Sequence, residues 1–380
     1  MPDPILAPGL IPEPPAVPLV DRGAGFKEGT ALYLVRHGES MTNTYENIHA
    51  FDPNLTALGW AQALAVAGWM AEQTPVDVVV TSPLRRAFST ALAIAHAQGL
   101  KPVEMPGLEE FSHEFWDEMP FHHPTRPWWG RLDWEPTFEQ APIFVAFRDR
   151  VYQALAEVLE RFGGQRICLV SHGGTMSVLT AAMVGSQHLG VWNANTGVSL
   201  FVWPEWKRWL VHYINRTEHL LSLDARRFPR LEGALPTDNG LWRLPDSPTR
   251  PQVDPRLGYL ANLLQRKHRI LFLFPPDPFT PVRVSLRARR AMVVGVDPLA
   301  LEAGEAHRAR LNANHIRFEH LFLPLPYPDG YFHFVVLGEH PALAAVEASG
   351  EIARVLGEDG RIIRPAALTG ETVAIPNGLS

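Results

Sequence analysis

The chain has 380 residues, of which 46% are apolar and 19% charged, with a net charge of −6. That length implies more than one domain, and the composition is that of a globular chain, not a disordered or fibrous one. The acidic balance excludes a general nucleic-acid binder, and the single cysteine, Cys168, excludes an internal disulfide; a buried, inert thiol of this kind fits a reducing, cytoplasmic setting.

Residues 1–29 are interrupted by proline every few positions and carry neither a basic n-region nor a continuous apolar core. They read as an extended Pro-rich tail, not as a signal peptide or membrane span, and no later apolar run is long enough to cross a bilayer. From Thr30 the pattern becomes α/β. ALYLV is a short apolar strand, followed by a helix in LTALGWAQALAVAGWMAEQ with Thr56 placed as its N-cap. VDVVVTS is a second strand, and LRRAFSTALAIAHAQG a helix that ends at Gly99. Residues 101–142 are rich in Pro, Trp, His and acidic side chains and show no period. A loop of that length inside a compact domain is usually functional. A long helix over Phe144 to Phe162 leads to the strand RICLVSH, a helix from about Thr175, and two further strands in GVSLFVW and KRWLVHYIN.

Residues 222–256 turn Pro-, Asp- and Arg-rich and read as an interdomain linker. A second α/β pattern fills 257–380, with strands RILFLF, AMVVGVD, YFHFVVLG and GRII, and no internal repeat relates the two halves. Strands alternating with helices predict mostly parallel sheets.

In an open parallel sheet, ligands bind at the carboxyl ends of the strands. Three such ends carry polar groups here: Arg36, His37 and Gly38 after the first strand; Ser82, Arg85 and Arg86 after the second; Ser171, His172 and Gly173 after RICLV. Taken singly, each is an ordinary structural histidine, a solvated Arg pair or a common loop. Converged on one crevice, two imidazoles and two guanidinium groups would bind an anion, most plausibly a phosphoryl group.

These residues also carry a family resemblance. LVRHGES with Asn43, DPNLTALGWAQA, SPLRRAFSTA, LEEFSHEFWDE, VSHGG, NTGVSLF and INRTEHL resemble, in order, the motifs of the histidine phosphatase superfamily, the phosphoglycerate-mutase-like enzymes, over about residues 30–220. The resemblance implies a three-layer α/β/α phosphatase domain at 30–221. It assigns His37 as nucleophile and Glu110 as proton donor, with Arg36, Arg86 and His172 around the transferred group and Asn43, Ser40 and Gly173 in substrate binding. It implies a phosphomonoesterase acting through phosphohistidine on a small phosphorylated metabolite, with no metal or other cofactor. One departure is that Glu114 occupies the family's glycine position, among five crowded carboxylates: Glu109, Glu110, Glu114, Asp117 and Glu118. The insert 121–136, with Trp128, Trp129 and Trp134, reads equally as a lid over the substrate or as a loop packed by its own aromatics. The segment after Glu110 is short and hydrophobic, which favours a phosphatase over the alternative of a phosphoglycerate-type mutase.

The second half resembles the class I S-adenosylmethionine-dependent methyltransferase fold over about 257–365, a smaller Rossmann-like α/β domain in which Asp297 would match the acid that binds the cofactor ribose. The glycine-rich loop that this family needs is replaced by PPDPFTP, and His333 stands where an Asp is usual. Proline lacks the N–H and fixes φ, so this domain reads as degenerate, without cofactor. It would serve as a cover for the phosphatase site or as a surface for a homodimer. A regulatory or bifunctional protein is the further alternative. Arg283, Arg287 and Arg290 recur at helical spacing and read as a solvated helix face.

Overall fold

The structure, a computed structural model, describes residues 27–48, 52–111, 142–186, 189–204, 208–238, 240–245 and 253–365. The Pro-rich tail, the insert 121–136 and the carboxylates Glu114, Asp117 and Glu118 lie outside the described residues.

The first half is built on a six-stranded sheet of order β3-β2-β4-β1-β5-β6. Its strands are β1 Thr30–Arg36, β2 Val78–Thr81, β3 Pro102–Glu104, β4 Arg166–Ser171, β5 Val198–Trp203 and β6 Leu210–Arg216. The inner strands β1, β2 and β4 are parallel and almost wholly buried, which is why they read as unbroken apolar runs. β5 runs antiparallel to β1 and β6 antiparallel to β5, closing one edge as an antiparallel ribbon. Among the described residues, the long helices over the faces are α1 Ala57–Gln73, α2 Arg85–Ala97, α3 Pro142–Phe162 and α4 Gly173–Val184. Thr56 caps α1 as the sequence predicts, its hydroxyl accepting from the N–H of Gly59 at 3.0 Å. The β1 exit loop rests directly on the first turn of α1. A Cβ on Gly59 would stand 1.9 Å from the carbonyl oxygen of Glu39, so only glycine permits this approach.

The linker region is not bare chain. It carries a two-stranded ribbon, β7 Leu235–Pro236 and β8 Trp242–Arg243. Its Leu244, with Leu231, Ala234 and Trp242, packs on Met41, Tyr45 and Ile48 of the first half.

The second half is a five-stranded, all-parallel sheet of order β11-β10-β9-β12-β13. It comprises β9 Arg269–Leu273, β10 Arg290–Gly295, β11 Ile316–His320, β12 Phe332–Leu337 and β13 Leu356–Ile363, with helix α5 Pro298–Arg310 between β10 and β11. The order reverses between β9 and β12, the doubly wound pattern. The predicted helical face of Arg283, Arg287 and Arg290 is not formed. Arg283 lies in the short helix Thr280–Val284, where its Nε donates to Nε2 of His307, and Arg290 opens β10. One buried apolar cluster runs from Val35, Trp60 and Ala91 to Phe318 and Phe322, so the two halves share a core. No helix among the described residues is long and apolar enough to cross a membrane.

Candidate active site

The carboxyl ends of β1, β2 and β4 lie side by side, because β4 sits between β1 and β2 in parallel register. This brings together the groups that the sequence spreads over more than a hundred residues. His37 and His172 are both buried, at 3% and 0% exposure, with ring centroids 5.0 Å apart. Arg36, Arg86 and Glu110 around them are only partly buried.

The orientation of His37 follows from its contacts. Nδ1 lies 2.7 Å from the carbonyl oxygen of Gly38. A carbonyl only accepts, so Nδ1 must carry the proton and Nε2 the lone pair. Nε2 in turn accepts from Nε–H of Arg86 at 3.3 Å, and Asn195 holds the main chain by donating from Nδ2 to the His37 carbonyl at 3.0 Å. Burial together with the Arg86 and Arg36 charges holds the His37 imidazole well below its ordinary value of 6.5. His172 is lowered well below 6.5 in the same way, by burial and the nearby charges of Arg86, Arg36 and Arg150. Both rings are therefore neutral in the physiological range.

His172 shares a 2.9 Å hydrogen bond between Nε2 and the hydroxyl of Ser82, and its buried Nδ1 has no protein partner among the described residues. Arg36 donates from Nη1 to the Asn193 carbonyl at 2.6 Å, and its buried Nε is likewise unpartnered. Buried polar atoms left without protein partners call for a ligand or water. Here they border two imidazoles and two guanidinium groups, an arrangement that suits a phosphoryl group.

Glu110 is held at the start of α4. Its Oε2 accepts from the N–H of Gly174 at 2.9 Å and Oε1 from the N–H of Thr175 at 3.2 Å. Burial nevertheless raises its carboxyl above the ordinary 4.5, against the lowering effect of the Gly174 N–H, Arg86, the Phe111 N–H and Arg36. Gly174 is obligatory here, since a Cβ would stand 2.6 Å from Glu110 Oε1 and 2.3 Å from the Phe111 ring. Gly173 faces Arg36 without crowding it. Ser40 donates to the amide oxygen of Asn43 at 2.9 Å, so the group Asn43 can offer a phosphoryl oxygen is its NH2.

The contributions of Asn193, Asn195 and Asp52 were not legible as site residues. Asn193 acts through a main-chain carbonyl, which no residue type reveals. Asp52 lies 3.9 Å from Nη1 of Arg86 and accepts the N–H of Arg85 at 2.8 Å. Asp297 is separate from all of these. It is exposed at the start of α5, where Oδ1 accepts from the N–H of Leu299 at 3.0 Å as a helix cap. Among the described residues no three His, Cys, Asp or Glu side chains converge as a metal would require.

Residues 32–216 match the family described as histidine phosphatase superfamily (branch 1). Phosphoserine phosphatase 1 of Hydrogenobacter thermophilus is 28% identical over 199 residues, covering 50% of this chain and 93% of that protein. The probable phosphoglycerate mutase GpmB of Yersinia enterocolitica is 32% identical over 161 residues, covering 40% of this chain and 74% of that protein. The metal-independent phosphoserine phosphatase of Arabidopsis thaliana is 27% identical over 208 residues, covering 52% of this chain and 85% of that protein.

Proposed function

The chain belongs to the histidine phosphatase superfamily, and from that premise we propose that it is a phosphatase of small phosphorylated metabolites that works through a phosphohistidine at His37. The observation that carries this reading is the fixed tautomer of His37. Nδ1–H donates to the Gly38 carbonyl, which leaves a neutral Nε2 lone pair facing the guanidinium of Arg86.

A substrate phosphoryl group enters between Arg36, Arg86 and His172, where Nε of Arg36 and Nδ1 of His172 gain partners. Nε2 attacks phosphorus; the N–P bond forms as the bond to the leaving oxygen breaks, and Glu110 gives that oxygen its proton. A water then attacks phosphorus and loses its proton to the Glu110 carboxylate. The N–P bond breaks, releasing inorganic phosphate and neutral His37. The two guanidinium groups and the Asn43 amide stabilise charge on the equatorial oxygens in both steps, so the protein's own cations do the work often given to a metal. The carboxyl raised above its ordinary range keeps Glu110 protonated at higher pH than a free side chain, which suits a donor.

Two of the relatives are named phosphoserine phosphatases, so phosphoserine is the first substrate to test. The exposed indole of Trp192 lies beside the Arg36 guanidinium, 5.8 Å from its ring centroid, and offers a flat surface for the organic part of a substrate. The resemblance to a probable phosphoglycerate mutase keeps a mutase as the second reading. A panel of phosphomonoesters with and without EDTA, on wild type and His37→Ala, decides between them. The phosphatase reading predicts free phosphate, unaffected by EDTA and lost in His37→Ala. Isomerised phosphoglycerate without free phosphate would favour the mutase, and turnover that survives His37→Ala would refute both.

We further propose that the C-terminal domain is a methyltransferase-like fold that has lost its cofactor. Its strand order supports the kinship, and its first loop opposes binding. Phe274 leaves β9 with φ of 51° into Pro275 and Pro276. Gly338, after β12, abuts its carbonyl so closely that a Cβ would fall 1.6 Å away, and the Phe274 ring stacks on His340 at 4.6 Å.

A further inference from the structure

The C-terminal domain reaches the phosphate-binding arm through side chains that the reaction itself does not use. We propose that Glu305, on α5, is a positioning residue for Arg86, so that the second domain completes the phosphatase site; this rests on the phosphatase reading above.

Arg85 and Arg86 are consecutive in the first turn of α2, so their side chains leave the helix about 100° apart. Arg85 is drawn into the second domain. It donates from Nη1 to the carbonyl of Ile316, the first residue of β11, at 3.1 Å and from Nη2 to the carbonyl of Asn314 just before it. With Arg85 anchored there, Arg86 is turned the other way, onto His37.

A guanidinium buried to 6% exposure needs countercharges. Glu305 lies 3.9 Å from Arg85 Nη1 and Asp52 lies 3.8 Å from its Nε. Glu305 is itself fixed by a two-pronged pair with the fully buried Arg308, at 2.8 and 3.0 Å. Arg308 also donates to Oδ1 of Asn314, the residue whose carbonyl Arg85 grips. Glu305 also accepts the main-chain N–H of Asn54 at 3.0 Å, and Asn54 donates from Nδ2 to the Phe318 carbonyl at 2.7 Å. These bonds pin the loop that carries Asp52, which holds a positive φ of 51°. Asp52 then joins both arginines, taking the N–H of Arg85 and facing Nη1 of Arg86. Of this cluster, Arg86 is the member that faces the phosphate site.

Glu302, one turn earlier on α5, provides the control. Its carboxylate accepts from Tyr45 and from the N–H of Ala57, both at 2.6 Å, without touching Arg85 or Asp52. The experiment compares full-length Glu305→Gln and Arg85→Lys with Glu302→Gln, reading inorganic phosphate binding by calorimetry and kcat/KM on a phosphomonoester. Glu305→Gln and Arg85→Lys are each expected to lose about tenfold in both readouts. Glu302→Gln is expected to lower Tm while keeping both within about twofold. In an Arg86→Lys background, Glu305→Gln should cost little more, because coupled sites do not add. Should Glu305→Gln fail to fold, Arg85→Lys gives the same decision. Folded variants with wild-type binding and turnover, or full additivity with Arg86→Lys, would overturn the inference alone. A wild type that neither binds phosphate nor releases it from an ester would overturn the phosphatase reading and this inference with it.

Discussion

His37 and Glu110 are shifted in opposite directions, and both shifts suit the proposed reaction. The imidazole lowered well below 6.5 stays neutral and nucleophilic on the acid side, so the acid limb of kcat/KM should lie well below the ordinary histidine value. The carboxyl raised above 4.5 stays protonated longer, so activity should decline as pH rises through that raised value. A pH profile of Glu110→Gln should lose this second limb, with kcat reduced by about 10²- to 10⁴-fold, the usual worth of a general acid. The reduction should be smaller for an ester whose alcohol leaves without protonation. Stability carries its own signature. His37 and His172 are lowered in the fold, so below about pH 6.5 the unfolded chain binds protons that the folded chain refuses. Their contribution is fully present above the ordinary histidine value and is lost as pH falls toward the folded values, by about 1.4 kcal/mol per pH unit for each group. Thermal melts between about pH 7.5 and 5.5 should show this slope, and His172→Gln should flatten it by about half.

At the scale of elements, the site depends on loops pressed against helix starts. Gly174 is the second residue of α4, where Glu110 must lie, and Gly174→Ala would place a methyl 2.6 Å from the carboxylate. This variant should fold, since it lies in the first turn of a helix, yet lose about tenfold or more in kcat by displacing the donor; circular dichroism beside a turnover assay checks it. The long periodic helices and the apolar strands β1, β2 and β4 were legible in the sequence because both faces of those strands are buried. The imidazoles and guanidinium groups of the site were legible because they stand at the strand ends. β11 was not read as a strand. Its IRFEH alternates apolar with charged residues, and Glu319 is buried there against Tyr327, a pairing that only the fold supplies. β3 has only three residues, too few for a pattern. The antiparallel turn of β5 and β6 follows from a connection too short for a crossover, which strand patterns alone do not declare. The linker read as polar chain because its proline and arginine content hides the few side chains that dock, among them Leu244 and Trp242, and Arg230, whose guanidinium pairs with Glu39 next to the β1 exit loop.

Across the whole molecule, the two sheets share a core and a buried polar seam: Trp60 faces His320, Tyr45 meets Glu302 and Arg85 meets Glu305. Separating them would strand these charges and amides, at a cost of several kcal/mol. Calorimetric unfolding should therefore show one transition for the full chain, and Glu305→Gln should broaden or split it. The second sheet has the strand order of a cofactor-binding fold, but the approach a glycine loop would provide is taken up by Phe274, Pro275 and Gly338. Titration with S-adenosylmethionine should give no heat of binding; micromolar affinity would restore a second activity. The central claim is that phosphorus becomes bonded to His37. Rapid-quench trapping with a radiolabelled phosphomonoester tests it most directly. An acid-labile, base-stable label is expected on the peptide that contains His37 and absent from His37→Ala. Steady release of phosphate with no such label, or with label on another residue, would contradict it.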